Sequence, residues 1–267
     1  PEAARRYHLV VLSDHGQSQG ATFKQRYGET LDEVVERFSA PDPADAPSTP
    51  AEEEATKEPD FPEPPVAPLL VVSSGNLALL YLTRFPERLD RAAIERAYPR
   101  LINGLVAHPG VGLVIVRDHD GPVALGTSGS HRLRDGTVEG IDPLLPYGPR
   151  ARHDLLRHQE AEHVGDLVLI SSVDPVTEEV AAFEELVGSH GGLGGWQTDA
   201  VLVHPARWPI TQTELDGPDT IHRQLVEWLA MLGLRTQTLA ADEEQHELER
   251  HPLEESVAPR LSRTHDG

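Results

Sequence analysis

The chain has 267 residues, 38% of them hydrophobic and 5% aromatic, a formal charge of −21 and no cysteine. Disulfides and thiolate ligands or nucleophiles are thereby excluded. Such acidity also argues against binding a nucleic-acid backbone, which requires a basic stripe that displaces counterions from phosphates, and against docking to an anionic leaflet. The charge is local. Residues 32–64 hold 11 acids against Arg37 and Lys57, and residues 242–255 hold 7 against Arg250, so 15 of the 21 excess charges fall in two stretches. No apolar run reaches the roughly 18 residues of a membrane span and no signal peptide is evident, so the sequence reads as soluble. Pro1 is not an initiator methionine, and a strand begins by Tyr7, so the chain reads as cut from something longer.

In chain order, Tyr7–Leu12 (YHLVVL) is a short continuous apolar run, as expected of a strand buried on both faces. Leu31, Val34, Val35 and Phe38 recur with helical spacing. Residues 39–68 contain 9 prolines among Glu, Asp and Ala and cannot bury enough apolar surface to offset their ordering entropy. Strands are expected at 68–74 and 77–83, with Gly75-Asn76 as the turn. A helix spans 90–107, kinked or divided at Pro99. Val111–Arg117 and Pro122–Gly126 form a hairpin around His119-Asp120-Gly121. Beyond it lie a short strand at 131–133, a helix at 151–158, the apolar strand Leu167–Ile170, a short helix at 178–186 and a strand at 200–203. Residues 219–233 read as an amphipathic helix with Ile221, Leu225, Trp228, Leu229 and Leu232 on one face.

Strands alternating with helices, several of them continuously apolar, predict an α/β three-layer sandwich around a mostly parallel sheet. The expected organisation is a strand, loop and helix over 1–38, an acidic Pro-rich disordered insertion over 39–67, the remainder of the α/β domain over 68–239, and an acidic disordered tail over 240–267.

Two motifs could carry chemistry. Ser13-Asp14-His15-Gly16 stands where the first strand empties into a loop, the end of a strand at which α/β proteins gather ligands. Asp oxygen and His nitrogen are good ligands for zinc or manganese, yet Asp and Gly are also ordinary turn residues, and the tetrapeptide alone reads more simply as a plain loop. The second is Ser189-His190-Gly191-Gly192 with Gly194-Gly195, a run that allows a very close backbone approach. Other clusters carry less. Asp154 and His158 share a helix face at i, i+4 and read as solvated. His158, Glu160, Glu162 and His163 lack the His-Glu-x-x-His spacing of zinc proteases. Asp118-His119-Asp120-Gly121 reads as a polar turn, the 188–195 glycines lack the following helix of a dinucleotide fingerprint, and His204 reads as structural.

Together, Ser13-Asp14-His15-Gly16 and His190-Gly191 resemble the alkaline phosphatase superfamily, especially its type I phosphodiesterase and nucleotide pyrophosphatase branch. Residues 178–198 are similar to phosphodiesterase-type domains of actinobacterial membrane proteins of the phage holin family. The resemblance implies a two-metal phosphoryl-transfer site acting on a phosphate-ester substrate, with two divalent ions, zinc or else manganese. Asp14 and His15 would hold one ion and His190 the other, with Gly16, Gly191 and Gly192 permitting close approach. It also implies that the chain is the C-terminal part of an alkaline-phosphatase-like domain, incomplete at its N-terminus. The family's nucleophile and several of its ligands precede the Asp-His-Gly motif, and no candidate occurs among the 13 residues before Asp14. The chain alone is therefore expected to be inactive. The alternative is a non-catalytic module of an envelope-associated protein; membrane association through segments outside the chain follows from the resemblance alone.

Overall fold

The computed structural model describes residues 7–40, 69–186, 188–212 and 214–235. They fall into two compact units, one within residues 11–202 and one built from residues 7–10 and 203–235. Of the insertion expected at 39–67, all but residues 39 and 40 lies outside the described residues, as does the whole tail expected at 240–267.

The larger unit opens with two-residue strands β1 (Val11–Leu12) and β2 (Ser18–Gln19), then helices α1 (Phe23–Tyr27) and α2 (Leu31–Ser39). Both helices start at a threonine whose side chain accepts from the third helical N–H, while Gln25 or Glu33 reaches back to the cap: Thr22 for α1, Thr30 for α2. Each reciprocal pair satisfies two amides that helix geometry leaves without partners. Leu31, Val34 and Val35 of α2 are buried, as their spacing predicts.

Next come β3 (Leu70–Ser74), β4 (Leu77–Tyr81), α3 (Arg91–Ala97), α4 (Leu101–Ala107), β5 (Val111–Asp118), β6 (Gly121–Gly126), β7 (Gly129–Arg132), β8 (Val138–Gly140), α5 (Ala151–Gln159), β9 (Leu167–Ser171) and β10 (Gly188–Ser189). Pro99 falls between α3 and α4 and divides the helix expected over 90–107. Seven strands form one sheet in the order β3-β4-β9-β5-β6-β7-β8, and every neighbouring pair is antiparallel.

This overturns the expected mostly parallel three-layer sandwich. The misreading has a physical source. A strand covered on both faces is apolar throughout whatever its direction, so the valine-rich runs report burial and not polarity. Direction is set by the connections. Gly75-Asn76 joins β3 to β4, and equally tight turns join β5 to β6 and β6 to β7; links this short can only reverse the chain.

The sheet is covered on both faces. Val114, Val116, Leu167 and Leu169 pack with Val34 of α2 and Leu101 and Leu105 of α4. Leu113, Ile115, Val168 and Ile170 face the other way, onto Tyr147, Ala151 and Leu155. Each fully buried aliphatic side chain contributes about 1.5–3 kcal/mol relative to exposure, so the β5–β9 centre anchors this unit. Tyr147 closes one side by donating to Ser171 O at 2.8 Å, and burial raises its phenol well above the ordinary range.

Two further expectations fail. The Tyr7–Leu12 run is not a doubly buried strand: Val11 is 61% and Leu12 48% exposed, and β1 lies outside the seven-stranded sheet. Residues 178–186 are not helical. Asp174 Oδ1 accepts from the N–H groups of Val176 and Thr177 at 2.9 and 3.0 Å, turning the chain, and Val180 bridges back to Val173. An aspartate that captures local amides offers the backbone an alternative to helix.

The smaller unit is built around α6 (Gly217–Met231). Its buried face carries Gln224, Val226 and Trp228, whereas Leu229, expected inside, is 41% exposed. His204 stacks on Trp228 at 4.7 Å, which gives that histidine a packing role.

Candidate functional site

The short pairing of β2 with β10 assembles the candidate site. Ser18 lies opposite Ser189 and Gln19 opposite Gly188 in an antiparallel register. Antiparallel strands place the residues before one beside the residues after the other, so the 13–17 loop meets the 190–197 loop. His15 and His190, far apart in sequence, stack with ring centroids 4.5 Å apart and planes 13° from parallel.

Close approach of the loops depends on glycine. A side chain on Gly16 would run into the carbonyls of Trp196 and Asp199, and the Gly16 N–H donates to Gln197 O at 2.9 Å. Gly192 sits against Asn76 Oδ1 with no space for a Cβ, and Gly191 has φ +87°, a left-handed conformation that favours glycine. All three predicted supporting glycines are therefore positions where the local geometry disfavours a side chain.

Beneath the loops lies a buried polar network that sequence reasoning missed. Asn76, Ser18, Ser189 and Gln197 are each at most 2% exposed. Gln197 Nε2 donates to Asn76 Oδ1 at 3.0 Å, Leu193 O at 3.2 Å and Gly194 O at 2.9 Å. Its Oε1 accepts from Ser189 Oγ at 3.2 Å and Gly192 N at 3.3 Å. Asn76 Nδ2 donates to Leu193 O at 2.8 Å, and Ser18 Oγ accepts from Trp196 N at 2.7 Å. The glycine loop has few side chains with which to hold itself, and these amides and hydroxyls supply its fixed partners. The available signal was a polar residue, Gln197, close behind a glycine run, and Asn76 next to a turn glycine.

At the surface of this frame, His15 Nδ1 lies 2.6 Å from Gly16 O. A carbonyl can only accept, so Nδ1 carries the proton and donates. His15 Nε2 is 3.6 Å from Asp14 Oδ1, and the Asp14 side chain is 87% exposed. The structure thus brings His15 against both Asp14 and His190, although among the described residues no group of three or more His, Asp or Glu side chains gathers around one possible metal position.

The lesser clusters follow the sequence reading only in part: Asp154 and His158, expected on a solvated helix face, are half-buried. Asp154 pairs with Arg150 at 3.4 Å and with His153 at 3.2 Å. His158 is held below its ordinary pKa by burial and by the Arg88 charge. His119 and Asp120 pair at 2.6 Å in an exposed turn. A carboxylate–imidazole pair that the sequence did not flag is His131 Nδ1 with Asp142 Oδ1 at 2.9 Å. Burial raises the Asp142 pKa, but the bonds from His131 and from Leu144 N outweigh it and leave the carboxyl below its ordinary value.

Comparison with known proteins finds no matching family profile, no matching curated protein and no matching solved structure.

Proposed function

We propose that Asp14, His15 and His190 are ligands of a divalent-metal site serving phosphate-ester hydrolysis, with zinc the first candidate and manganese the second. The observation that carries this reading is the commitment of His15. With its Nδ1–H given to Gly16 O, the neutral ring directs its Nε2 lone pair away from that carbonyl, and Nε2 lies 3.6 Å from a carboxylate oxygen. Histidine ligands are held this way, the far nitrogen donating to a carbonyl and fixing the tautomer. The Nε2 of a neutral ring and a carboxylate this close repel unless a proton or a metal ion lies between them. Two ligand atoms on a tetrahedral zinc at bond lengths of about 2.0–2.1 Å stand roughly 3.3 Å apart, close to the spacing of this pair.

His190 supports two ions in place of one. Imidazole lone pairs lie in the ring plane, so stacked, nearly parallel rings do not converge on a common point. Rings 4.5 Å apart suit neighbouring ions, which in two-metal sites stand about 3.5–4 Å from each other. Such ions polarise a phosphoryl oxygen and activate the attacking oxygen. The residues named here hold and orient; none of them is assigned as nucleophile. The reading rests on the two motifs and their juxtaposition, and not on the sheet, which is antiparallel. The exposure of Asp14 favours, as the second reading, a module that keeps the loops without the chemistry.

Zinc titration calorimetry on the chain and on Asp14→Ala, His15→Ala and His190→Ala tests the site. The expected result is saturable binding weakened about tenfold or more by either histidine change. Manganese should also broaden the ring resonances of His15 and His190 ahead of those of the chain's other histidines. Equal heats across all four proteins would overturn the reading.

A further inference from the structure

A cleft lies in the same unit on other residues. Arg88, Arg117 and Arg134 line this cleft of about 200 Å³, together with Gln159 at the end of α5 and with Asp118 and His119 of the β5–β6 turn. The three arginines come from three separate segments: the stretch before α3, the end of β5 and the loop after β7. Among the described residues, none of the three is ion-paired with a carboxylate, although the chain carries 44 acids to 23 basic residues. In so acidic a protein, three unpaired guanidiniums around one cleft are a concentration of charge that the composition works against.

Their scaffold explains why the charges stay unpaired. Both oxygens of Asp166, the nearby acid, accept from backbone: Leu82 N and Leu89 N, each at 2.7 Å. That carboxylate clamps the 82–89 segment and leaves Arg88 without a bonded anion. Arg88 donates through Nη2 to Gln159 Oε1 at 2.5 Å, and Arg117 donates to the Arg88 carbonyl. Arg88 Nε and Gln159 Nε2 are both shut off from solvent with no acceptor. Gln159 Oε1 accepts from Arg88, while its Nε2 donors are left without a partner. Burial, and then the charge of Arg117, lower the Arg88 pKa, as expected of a cation with too little negative charge beside it. The cleft lining thus sets three guanidiniums against a single carboxylate, that of Asp118.

We infer that this cleft binds a small tetrahedral oxyanion, a phosphate-type group, with Arg88, Arg117 and Arg134 as its cationic wall. Guanidinium forks pair with edges of two oxygens. Three forks arriving from three segments can be shared among the four oxygens of a phosphate but not by the two of a monocarboxylate. At about 30 Å³ per water, the cleft holds more than the bare ion and leaves space for a few atoms esterified to it. The source is thus either free phosphate or the head of a phosphate monoester. This inference stands apart from the metal reading, since it uses none of the same residues.

The test is calorimetry on the protein held in EDTA, titrated with inorganic phosphate and, separately, with glycerol phosphate, against sodium chloride of matched ionic strength. Saturable heat with either phosphate and none with chloride is expected, and tighter binding of the ester would assign the site to a head group. Arg134→Gln, a change at the cleft wall that should leave the fold intact, is expected to weaken binding about tenfold. Asp118→Asn should strengthen it several-fold by removing the opposing charge. Arg96→Gln, on α3 and outside the cleft lining, should leave it unchanged. Unsaturable heats, or equal weakening in Arg96→Gln and Arg134→Gln, would overturn the inference.

Discussion

Replacing Gln197 by alanine probes whether the buried amide network, and not the glycines alone, holds the His15 and His190 loops together. Gln197 makes five side-chain hydrogen bonds, three donated and two accepted. After truncation, Leu193 O keeps the Asn76 amide and Gly194 O keeps Ser18 Oγ at 3.3 Å. Asn76 Oδ1, the Ser189 hydroxyl and Gly192 N–H lose their Gln197 partner in a region closed to solvent. An unsatisfied buried group costs about 1–3 kcal/mol, and the members of a network are not additive. Some water will enter the space left behind, so a total of about 3–5 kcal/mol is expected. Gln197→Glu has nearly the same volume and still accepts, but it sets a carboxylate against Asn76 Oδ1 and two carbonyls, so it should be no better. Urea unfolding followed by circular dichroism gives the stability, and the ring chemical shifts of His15 and His190 report whether the stacked pair survives. A loss under about 1 kcal/mol with unchanged shifts would refute the network's role, because three truly orphaned groups cannot be that cheap.

Two other changes test neighbouring features. Gly16→Ala forces a Cβ into the Trp196 carbonyl; the loop must back away, so a loss of about 1–3 kcal/mol should come with separation of the two histidine rings, read as loss of their mutual ring-current shifts. Acid sensitivity follows from carboxylates held below their ordinary values, among them Asp142, ordinarily at 3.8, and Glu29, ordinarily at 4.5 and lowered first by the Arg37 hydrogen bond. A depressed folded pKa means stability that is complete above the ordinary value and lost as pH falls through the folded one. The urea midpoint should therefore drop below about pH 4.5, and Asp142→Asn should fall less steeply there while starting lower at pH 7. Parallel curves for the two proteins would show that the His131–Asp142 bond does not contribute.

What was legible follows from how local the cause is. The helices at 31–39, 91–107 and 151–159 appear close to where their spacing and Pro99 place them, because the residues of each buried stripe lie within a few positions of one another. The hairpin around His119-Asp120-Gly121 is equally local. Strand direction was not legible, since an apolar run such as Leu167–Ile170 looks the same in either sheet type. Nor was the network under the site: Asn76 and Gln197 are 121 positions apart, and each taken alone is an ordinary polar loop residue.

By itself the sequence determined the composition-level exclusions, the local helices and turns, and the two loops worth watching, because each depends on residue type and near-neighbour spacing. Only the tertiary structure decided that the sheet is antiparallel, that the Val11–Leu12 run is exposed, and that His15 lies on His190 with a committed Nδ1. Those outcomes depend on pairing between segments far apart in the chain, above all Ser18 with Ser189. Burial leaves a periodic mark on each strand, whereas the choice of partner leaves none.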